Sequence, residues 1–325
     1  MTTPATTQAP DPAPPRNPPS PKTPRRRGDR IFSGAASAAG VFILLVLAGV
    51  TLFLVRESLP TFFADPADIP GGNGFLSYVA PLLFGTLLAS LIALLIATPL
   101  AVGIALFISH YAHRRVAQSL GYVIDLLAAI PSVIFGLWGL FWLARRLQPV
   151  YAWLAEHLGF LPIFAGPASA TGRTILTAGI VLAVMILPIM TAICREVFRQ
   201  TPVLHEEAAL ALGATRWEMI QMSVIPYGKS GVISAAMLGL GRALGETMAV
   251  ALVLSVGGGI SLDLIGTENP ATIAANIALD FPESTGIDVN ALIATGLVLF
   301  VITFFVNAAA RAAIARRQEF SGANG

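Results

Sequence analysis

Six stretches of this sequence are apolar over a length that can cross a lipid bilayer. They lie at about residues 33–55, 78–109, 120–143, 174–197, 228–256 and 290–314. A membrane-spanning helix needs roughly 20 apolar residues, and each stretch reaches that length. Hydrophobic residues make up 55% of the chain and charged residues only 12%, which excludes an ordinary soluble domain. The sequence therefore predicts an all-α polytopic membrane protein with six transmembrane helices in a lipid bilayer.

Basic residues are distributed unequally between the two sides that these spans define. Fifteen of the 20 Lys and Arg fall on the side that carries both termini and the 195–229 loop, and four fall on the other side. Lys and Arg accumulate in the cytoplasmic loops of membrane proteins. We therefore expect a multi-pass protein of the cell membrane with both termini and this loop in the cytoplasm.

The chain divides into a membrane domain and two tails. Residues 1–30 contain nine of the 23 prolines and no apolar periodicity, which predicts a disordered, basic cytoplasmic tail. Residues 31–317 form the membrane domain, and residues 318–325 form a short cytoplasmic tail. The single cysteine, Cys194, excludes an internal disulfide framework and a thiolate metal cluster. No stretch resembles a nucleic-acid module, so we expect no nucleic-acid partner.

The loop at residues 201–226 contains start and stop signals for two short helices. Acidic residues lie in the first turn of the first helix and Gly213 follows its end, as is typical of helix termini. Thr215 and Glu218 then match a capping box that starts a second helix, and Pro226 is expected to end it. The pair predicts an exposed knob with spare apolar side chains, which is either a connector resting on the membrane surface or a docking site for a partner.

The apolar run at residues 228–256 carries two charges. Arg242 lies about 14 residues into the run, near the middle of the bilayer, and Glu246 is its i+4 neighbour on a continuous helix. An unpaired Arg at this depth costs roughly 3 kcal/mol or more, so its side chain must face protein, water or an anion. The pair is either an internal salt bridge with a packing role or part of a polar path, and charges inside a membrane favour the path. Small residues on the same helix predict close packing against a neighbour, and these are Gly239, Gly241 and Gly245.

The loop resembles the one shared by permease subunits of ABC importers. The positions in register with that family are Glu207, Ala208, Ala209, Gly213 and Pro226. Ser223 and Ile225 depart from the usual Ile-x-Leu-Pro ending. The resemblance implies that the knob docks on a cytoplasmic ATPase dimer, and the residues expected to couple the two are Glu206, Glu207, Ala208, Ala209, Gly213, Ala214 and Trp217.

No catalytic site is visible in the chain. It contains no G-x-x-x-x-G-K-[ST] phosphate loop, so an ABC importer built from it must hydrolyse ATP on the partner subunit. We therefore expect a transport subunit rather than an enzyme, with no bound cofactor and no metal. His110 and His113 have no Cys, Asp or Glu beside them in the sequence, and an interfacial anchor is the better interpretation of that pair.

Two further segments resemble one particular group of these importer permeases. Residues 239–249 (GLGRALGETMA) and 129–139 (AIPSVIFGLWG) are similar to helices in the permeases of the phosphate-specific ABC importer. Trp138-Gly139 and Met248-Ala249 resemble its C subunit rather than its A subunit. The resemblance covers about residues 30–317. It implies substrate-path roles for Arg242, Glu246, Thr247, Asp125 and Ser132.

The same resemblance implies a fold and a set of partners. The expected fold is MetI-like, and the expected function is that of a permease subunit of an inorganic phosphate importer. The partners would be a homologous A-type permease, the ATPase dimer and an extracytoplasmic phosphate-binding protein.

Three alternatives stay open at the level of the sequence. The first is an importer permease for another oxyanion, such as sulfate or molybdate. The second is an ion-coupled secondary transporter that uses Arg242 and Glu246 as a charge relay, which an internal inverted repeat would support; no convincing repeat is visible. The third is a structural membrane scaffold, which leaves the cost of Arg242 unexplained.

Overall fold

The computed structural model describes residues 27–321 as helices joined by turns and loops. The predicted N-terminal tail lies outside the described residues as far as residue 26, and so do residues 322–325 of the C-terminal tail. Within the described part, the α-helices are α1 (Arg27–Phe63), α2 (Phe75–Leu106), α3 (Arg114–Ala128), α4 (Ser132–Trp138), α5 (Ala144–Leu158), α6 (Ile175–Arg199), α7 (Val203–Ala211), α8 (Arg216–Met219), α9 (Ile225–Leu244), α10 (Met248–Val253), α11 (Ile273–Asp280) and α12 (Ile287–Ser321).

The first helix, α1, is apolar around its whole circumference. Its membrane-length stretch is Ile31–Phe63, and none of the most apolar part of that stretch is buried. The chain divides within this helix into two units, the first ending at Val50 and the second beginning at Thr51. A helix that is apolar on all sides without being buried in protein is suited to a lipid environment.

The second unit is built around α2 and α6, which pack against each other along most of their lengths. Five alanines repeat at every fourth residue of α2 and are fully buried, because residues four apart share one helix face. Gly179 of α6 lies so close to α2 that a Cβ there would be 2.5 Å from Cγ2 of Ile92. Small residues on both helices therefore bring the two backbones together, as in other membrane bundles. The alanines are Ala89, Ala93, Ala97, Ala101 and Ala105.

Four helices of the described chain are long and apolar enough to cross a membrane, namely α1, α2, α6 and α12. A fifth span is present if α3 and the helix Ser132–Leu158 count as one, although the two are bent by 93°. The predicted single helix over 120–143 is therefore wrong. Pro131 lies at the bend, where it removes a backbone donor and disfavours helical geometry in the residue before it. The helical membrane class is confirmed, but the count of six spans is not.

The knob consists of α7 and α8. Gly213 has a φ of +86°, which L side chains adopt only at a cost. Its N–H donates to the carbonyl of Leu210, and the N–H of Ala214 donates to that of Ala209, which is the Schellman arrangement at a helix end. At the start of α8, Thr215 and Glu218 form the predicted capping box. Both helix termini expected from the sequence are confirmed.

The second helix of the knob does not end where the sequence suggested. A π-helical turn at Ile220–Val224 joins α8 to α9, so that residues 216–244 are helical without interruption. The prediction that Pro226 terminates this helix is wrong. The N–H of Ile225 donates to the carbonyl of Ile220, and Pro226, which has no N–H to give, follows at the point where the hydrogen-bond register changes. The second helix of the knob, α8, is therefore continuous with α9.

A loop at residues 255–272 closes the opposite end of the bundle. Its Asn269 is fully buried, and its Nδ2 donates to carbonyl groups that include those of Arg173 at 3.2 Å and Ser255 at 3.0 Å. Its Oδ1 accepts the N–H of Ile175 at 2.8 Å. The loop crosses α2 at Gly85, where a Cβ would be 2.3 Å from the carbonyl oxygen of Ala271. One amide side chain thus ties this loop to the start of α6.

Candidate functional site

The predicted charged helix is interrupted between its two charges. Helix α9 ends at Leu244 and α10 begins at Met248. Glu246 lies in the break with 9% of its surface exposed, and its Oε1 accepts the N–H of Ala249 at 3.1 Å. The carboxylate therefore stabilises the first turn of α10. The prediction that Arg242 and Glu246 are i+4 neighbours on one continuous helix is wrong.

Arg242 is not paired with Glu246. Among the side chains that the structure describes, the ion pairs within 4.0 Å are His110 with Glu206 and Arg195 with Asp125. The Nε of Arg242 is buried and has no hydrogen-bond partner. This leaves the internal salt bridge without structural support.

Arg242 instead lines a cavity of about 510 Å³ between α6, α9 and α12. The polar groups that share this cavity are Ser234 of α9 and Asn307 and Arg311 of α12, and none of the described side chains that line it is an Asp or Glu. Two guanidinium groups, an amide and a hydroxyl thus face one space without a neutralising carboxylate. An excess of planar, always charged donors suits an oxyanion.

The knob presents apolar side chains away from the bundle. The exposed fractions are 90% for Leu212, 78% for Leu204 and 51% for Trp217. Ala209, in contrast, is buried with Met219 in a cluster that also contains residues of α2 and α6. The knob therefore has an anchored inner side and an apolar outer side.

A second attachment of the knob involves a residue that the sequence left as an interfacial anchor. The Nε2 of His110 lies 3.4 Å from Oε1 of Glu206, and its Nδ1 lies 2.7 Å from the hydroxyl of Ser109. Glu206 thus faces the bundle, while Glu207 and Ala208 remain exposed. The acid that the sequence lacked beside His110 comes from a helix 96 positions away.

Comparison with known proteins decides the family. Residues 97–319 match the family model described as "Binding-protein-dependent transport system inner membrane component". The chain is 49% identical over 304 residues to a Mycobacterium tuberculosis protein named "Phosphate transport system permease protein PstC 2", covering 89% of this chain and 92% of that protein. For the PstC protein of Mycobacterium leprae the identity is 46% over 300 residues, covering 88% and 93%. The chain belongs to the PstC family of permeases.

A solved structure shows the fold of this permease. One chain of a bacterial alginate ABC transporter, crystallised with an alginate pentasaccharide-bound periplasmic protein, aligns with a TM-score of 0.57 at 15% identity. The alignment covers 89% of the permease and 96% of that chain. At this identity the likeness concerns the fold alone, and it confirms the ABC permease architecture expected from the sequence.

The remaining path candidates of the permease do not share the Arg242 cavity. Asp125 lies in α3 beside Arg195, in a different cavity. Ser132 is the first residue of α4, directly after the bend. Thr247 precedes α10, and its hydroxyl donates to the carbonyl of Gly245 at 3.3 Å. Ser132 and Thr247 are thus at the two helix breaks, and α4 and α10 pack together beyond them, where a Cβ on Gly136 would be 2.8 Å from the Cα of Ala249.

The three glycines that the sequence predicts to pack, Gly239 and Gly241 in α9 and Gly245 directly after it, differ in their surroundings. A Cβ on Gly239 would be 2.8 Å from Sδ of Met190, so this glycine does allow close packing on α6. Gly241 has no neighbouring atom within 4 Å of such a Cβ, and Gly245 has only the carbonyl oxygen of Gly241 at 3.7 Å. Within the described chain, Gly239 therefore packs closely on α6, whereas close packing at Gly241 and Gly245 stays a prediction.

Two residues of the cavity were missed by the sequence reasoning. Arg311 was counted only as a basic residue near the C-terminal end of a span, and Asn307 was not singled out. Asn307 is a polar residue within the last apolar run, one helical turn before Arg311, and that spacing places both on one helix face. This was the available signal, but only the packing of α12 against α9 brings that face to Arg242.

Proposed function

We propose that this permease forms half of the transmembrane path of an ATP-driven inorganic phosphate importer. The observation that carries the proposal is the cavity in which Arg242 and Arg311 face the same space with no carboxylate among the lining residues. The names of its relatives supply the substrate, because the similar mycobacterial proteins are named as phosphate transport permeases.

Arg242 is the residue that would meet the anion. A desolvated phosphate is costly in a membrane, and a guanidinium that is not already neutralised can offer it charge-assisted hydrogen bonds of about 1.5–3 kcal/mol. Because Glu246 is engaged with the backbone of α10, it does not compete for Arg242 in this conformation. Its role is to hold the break that ends α9 just after Arg242.

The knob would convert ATP hydrolysis on a separate subunit into movement of this residue. Its exposed apolar side chains, Leu212 and Trp217 among them, are suited to a groove on an ATPase dimer, since clustered aromatic and aliphatic groups commonly anchor an interface. Residues 216–244 are continuously helical. A displacement of the knob is therefore transmitted along one helix to Arg242.

The remaining partners follow from the same architecture. The knob and both termini would lie in the cytoplasm, and an extracytoplasmic binding protein would deliver phosphate at the end closed by the 255–272 loop. A homologous A-type permease would complete the path. Its helices could approach most closely at Gly241 and Gly245, whose Cβ positions are open in this chain.

Phosphate uptake by proteoliposomes that contain the complete transporter tests the proposal. Replacing Arg242→Gln should lower uptake at least tenfold, which corresponds to about 1.4 kcal/mol of lost binding in the path. Arg146→Gln is the matched control, because Arg146 stacks on Trp142 at 4.9 Å and lies in another part of the fold. Co-purification of the other subunits would show that assembly is intact. Normal uptake by the assembled Arg242→Gln transporter would refute the proposal, and equal uptake of sulfate by the unaltered transporter would refute its substrate.

A further inference from the structure

A second basic cavity lies at the knob end of the bundle, apart from the one that contains Arg242. It has a volume of about 500 Å³ and lies between α3, the π-helical turn Phe107–Tyr111 that follows α2, and the end of α6. Three arginines line it, Arg114 from the first turn of α3 and Arg195 and Arg199 from the last turns of α6. Asp125 is the one acidic group among the described residues that line it, so these residues carry an excess of two positive charges.

Arg195 occupies the most enclosed position of the three. Its Nε is buried and has no hydrogen-bond partner, and its NH2 is 3.9 Å from Oδ1 of Asp125. A saturated guanidinium–carboxylate pair has hydrogen bonds of about 2.7–2.9 Å, so this pair is loose. Asp125 leaves the hydrogen-bonding capacity of Arg195 largely unused.

The backbone of α3 makes room for this guanidinium. Gly121 faces Arg195 so closely that a Cβ would be 2.4 Å from NH1. Any larger residue at position 121 would displace the arginine from the wall of the cavity. The glycine therefore keeps Arg195 where Arg114 and Arg199 can act on the same ligand.

The neutral groups of the cavity add donors to these charges. The side chains of Gln118 and Tyr122 line it together with the arginines, and each can donate a hydrogen bond to an oxygen atom. A phosphoryl group has up to two negative charges and three acceptor oxygens. Its negative charge matches the excess positive charge of the cavity, and its oxygens can accept charge-assisted hydrogen bonds from the arginines.

We propose that this cavity binds a phosphoryl group at the knob end of the permease. The group could be inorganic phosphate or the headgroup of an anionic phospholipid, which present the same oxygens to the arginines. The proposal does not rest on the proposed transport function, because none of the lining residues of this cavity lines the one that contains Arg242.

Binding to the full-length permease in lipid nanodiscs tests the proposal, with Arg242→Gln present throughout so that the other cavity contributes little. In the first arm, the nanodiscs contain only zwitterionic phosphatidylcholine, and radiolabelled inorganic phosphate is titrated. In the second arm, no free phosphate is present, and retention of phosphatidylglycerol is measured by native mass spectrometry. We expect saturable binding in one of the two arms, which identifies the source of the phosphoryl group.

Three substitutions in the cavity and one control outside it make the result specific to this cavity. Arg199→Gln and Arg114→Gln should each weaken the binding about tenfold or more, and Arg199→Lys should restore part of it. Arg115→Gln is the matched control, since this neighbour of Arg114 is exposed and does not line the cavity, and it should leave the binding unchanged. Circular dichroism of each variant confirms that it is folded. Absence of binding in both arms, or binding that Arg114→Gln and Arg115→Gln lower equally, would overturn the proposal.

Discussion

The turn at Gly213 between α7 and α8, called the elbow from here on, allows a test of whether the geometry of the knob matters for coupling. A substitution there introduces strain from the backbone alone. Gly213 has a φ of +86°, and a Cβ built on it meets no atom within 4 Å. Replacing Gly213→Val therefore introduces no clash with a neighbour. It forces an L residue into the left-handed region, which costs about 1–2 kcal/mol, and a β-branched residue lies at or above the upper end of that range.

The chain can respond to this substitution in two ways. It can keep the elbow and carry the strain, or it can leave the left-handed geometry and lose the two hydrogen bonds that Gly213 and Ala214 donate to α7. Those bonds contribute roughly 0.5–1.5 kcal/mol each, so both responses cost about 2 kcal/mol. A penalty of that size lowers the population of the native elbow roughly thirtyfold relative to its alternatives. The angle between α7 and α8 is then no longer fixed.

The assay is the ratio of phosphate transported to ATP hydrolysed by the complete transporter in proteoliposomes, combined with hydrogen exchange in α7. We expect Gly213→Val to lower the ratio severalfold and to speed exchange in α7, while Gly213→Asn, which tolerates the left-handed region, stays close to the unaltered protein. A Val variant with the original ratio and exchange would show that the elbow geometry is not required. Equal losses for Asn and Val would show that the side chain, and not the backbone, is responsible.

Three further predictions concern contacts outside the two cavities. Two hydrogen bonds from Thr215, one from its N–H and one from its hydroxyl, hold the pKa of the Glu218 carboxyl below its usual range. The stabilisation of α8 is therefore complete above the ordinary pKa of a Glu carboxyl and is lost as the pH falls through the lower folded pKa. Hydrogen exchange in α8 should accelerate over that interval and lose this pH dependence in Glu218→Gln. Asn269→Leu leaves buried carbonyls without their donor and should destabilise the permease by about 3 kcal/mol or more, seen as a lower midpoint of thermal unfolding in detergent. Gly179→Ala crowds Ile92 at 2.5 Å and should cost about 1–3 kcal/mol, whereas Gly103→Ala, which has open space, should be neutral or stabilising in the same measurement.

The sequence predicted best where the physics is local. The capping box at Thr215 and Glu218 was correctly placed because both partners lie within one helical turn, and the glycine elbow because a left-handed residue favours glycine. The membrane class followed from the length of the apolar runs, which bilayer thickness fixes. Short motifs carried the resemblance to importer permeases. It is confirmed by relatives that align with about 90% of the chain.

The sequence by itself determined that this chain is helical, crosses a membrane, has helix-capping residues in the knob and places Arg242 in an apolar run. It could not determine which groups share a space with that arginine. The i+4 spacing of Arg242 and Glu246 does not reveal the helix break that turns Glu246 toward the N–H of Ala249. Arg311 lies 69 positions after Arg242 in the chain. Only the packing of α12 against α9 brings these guanidiniums to one cavity, because the free energy of a charge in a membrane depends on its neighbours in space and not on its neighbours in sequence.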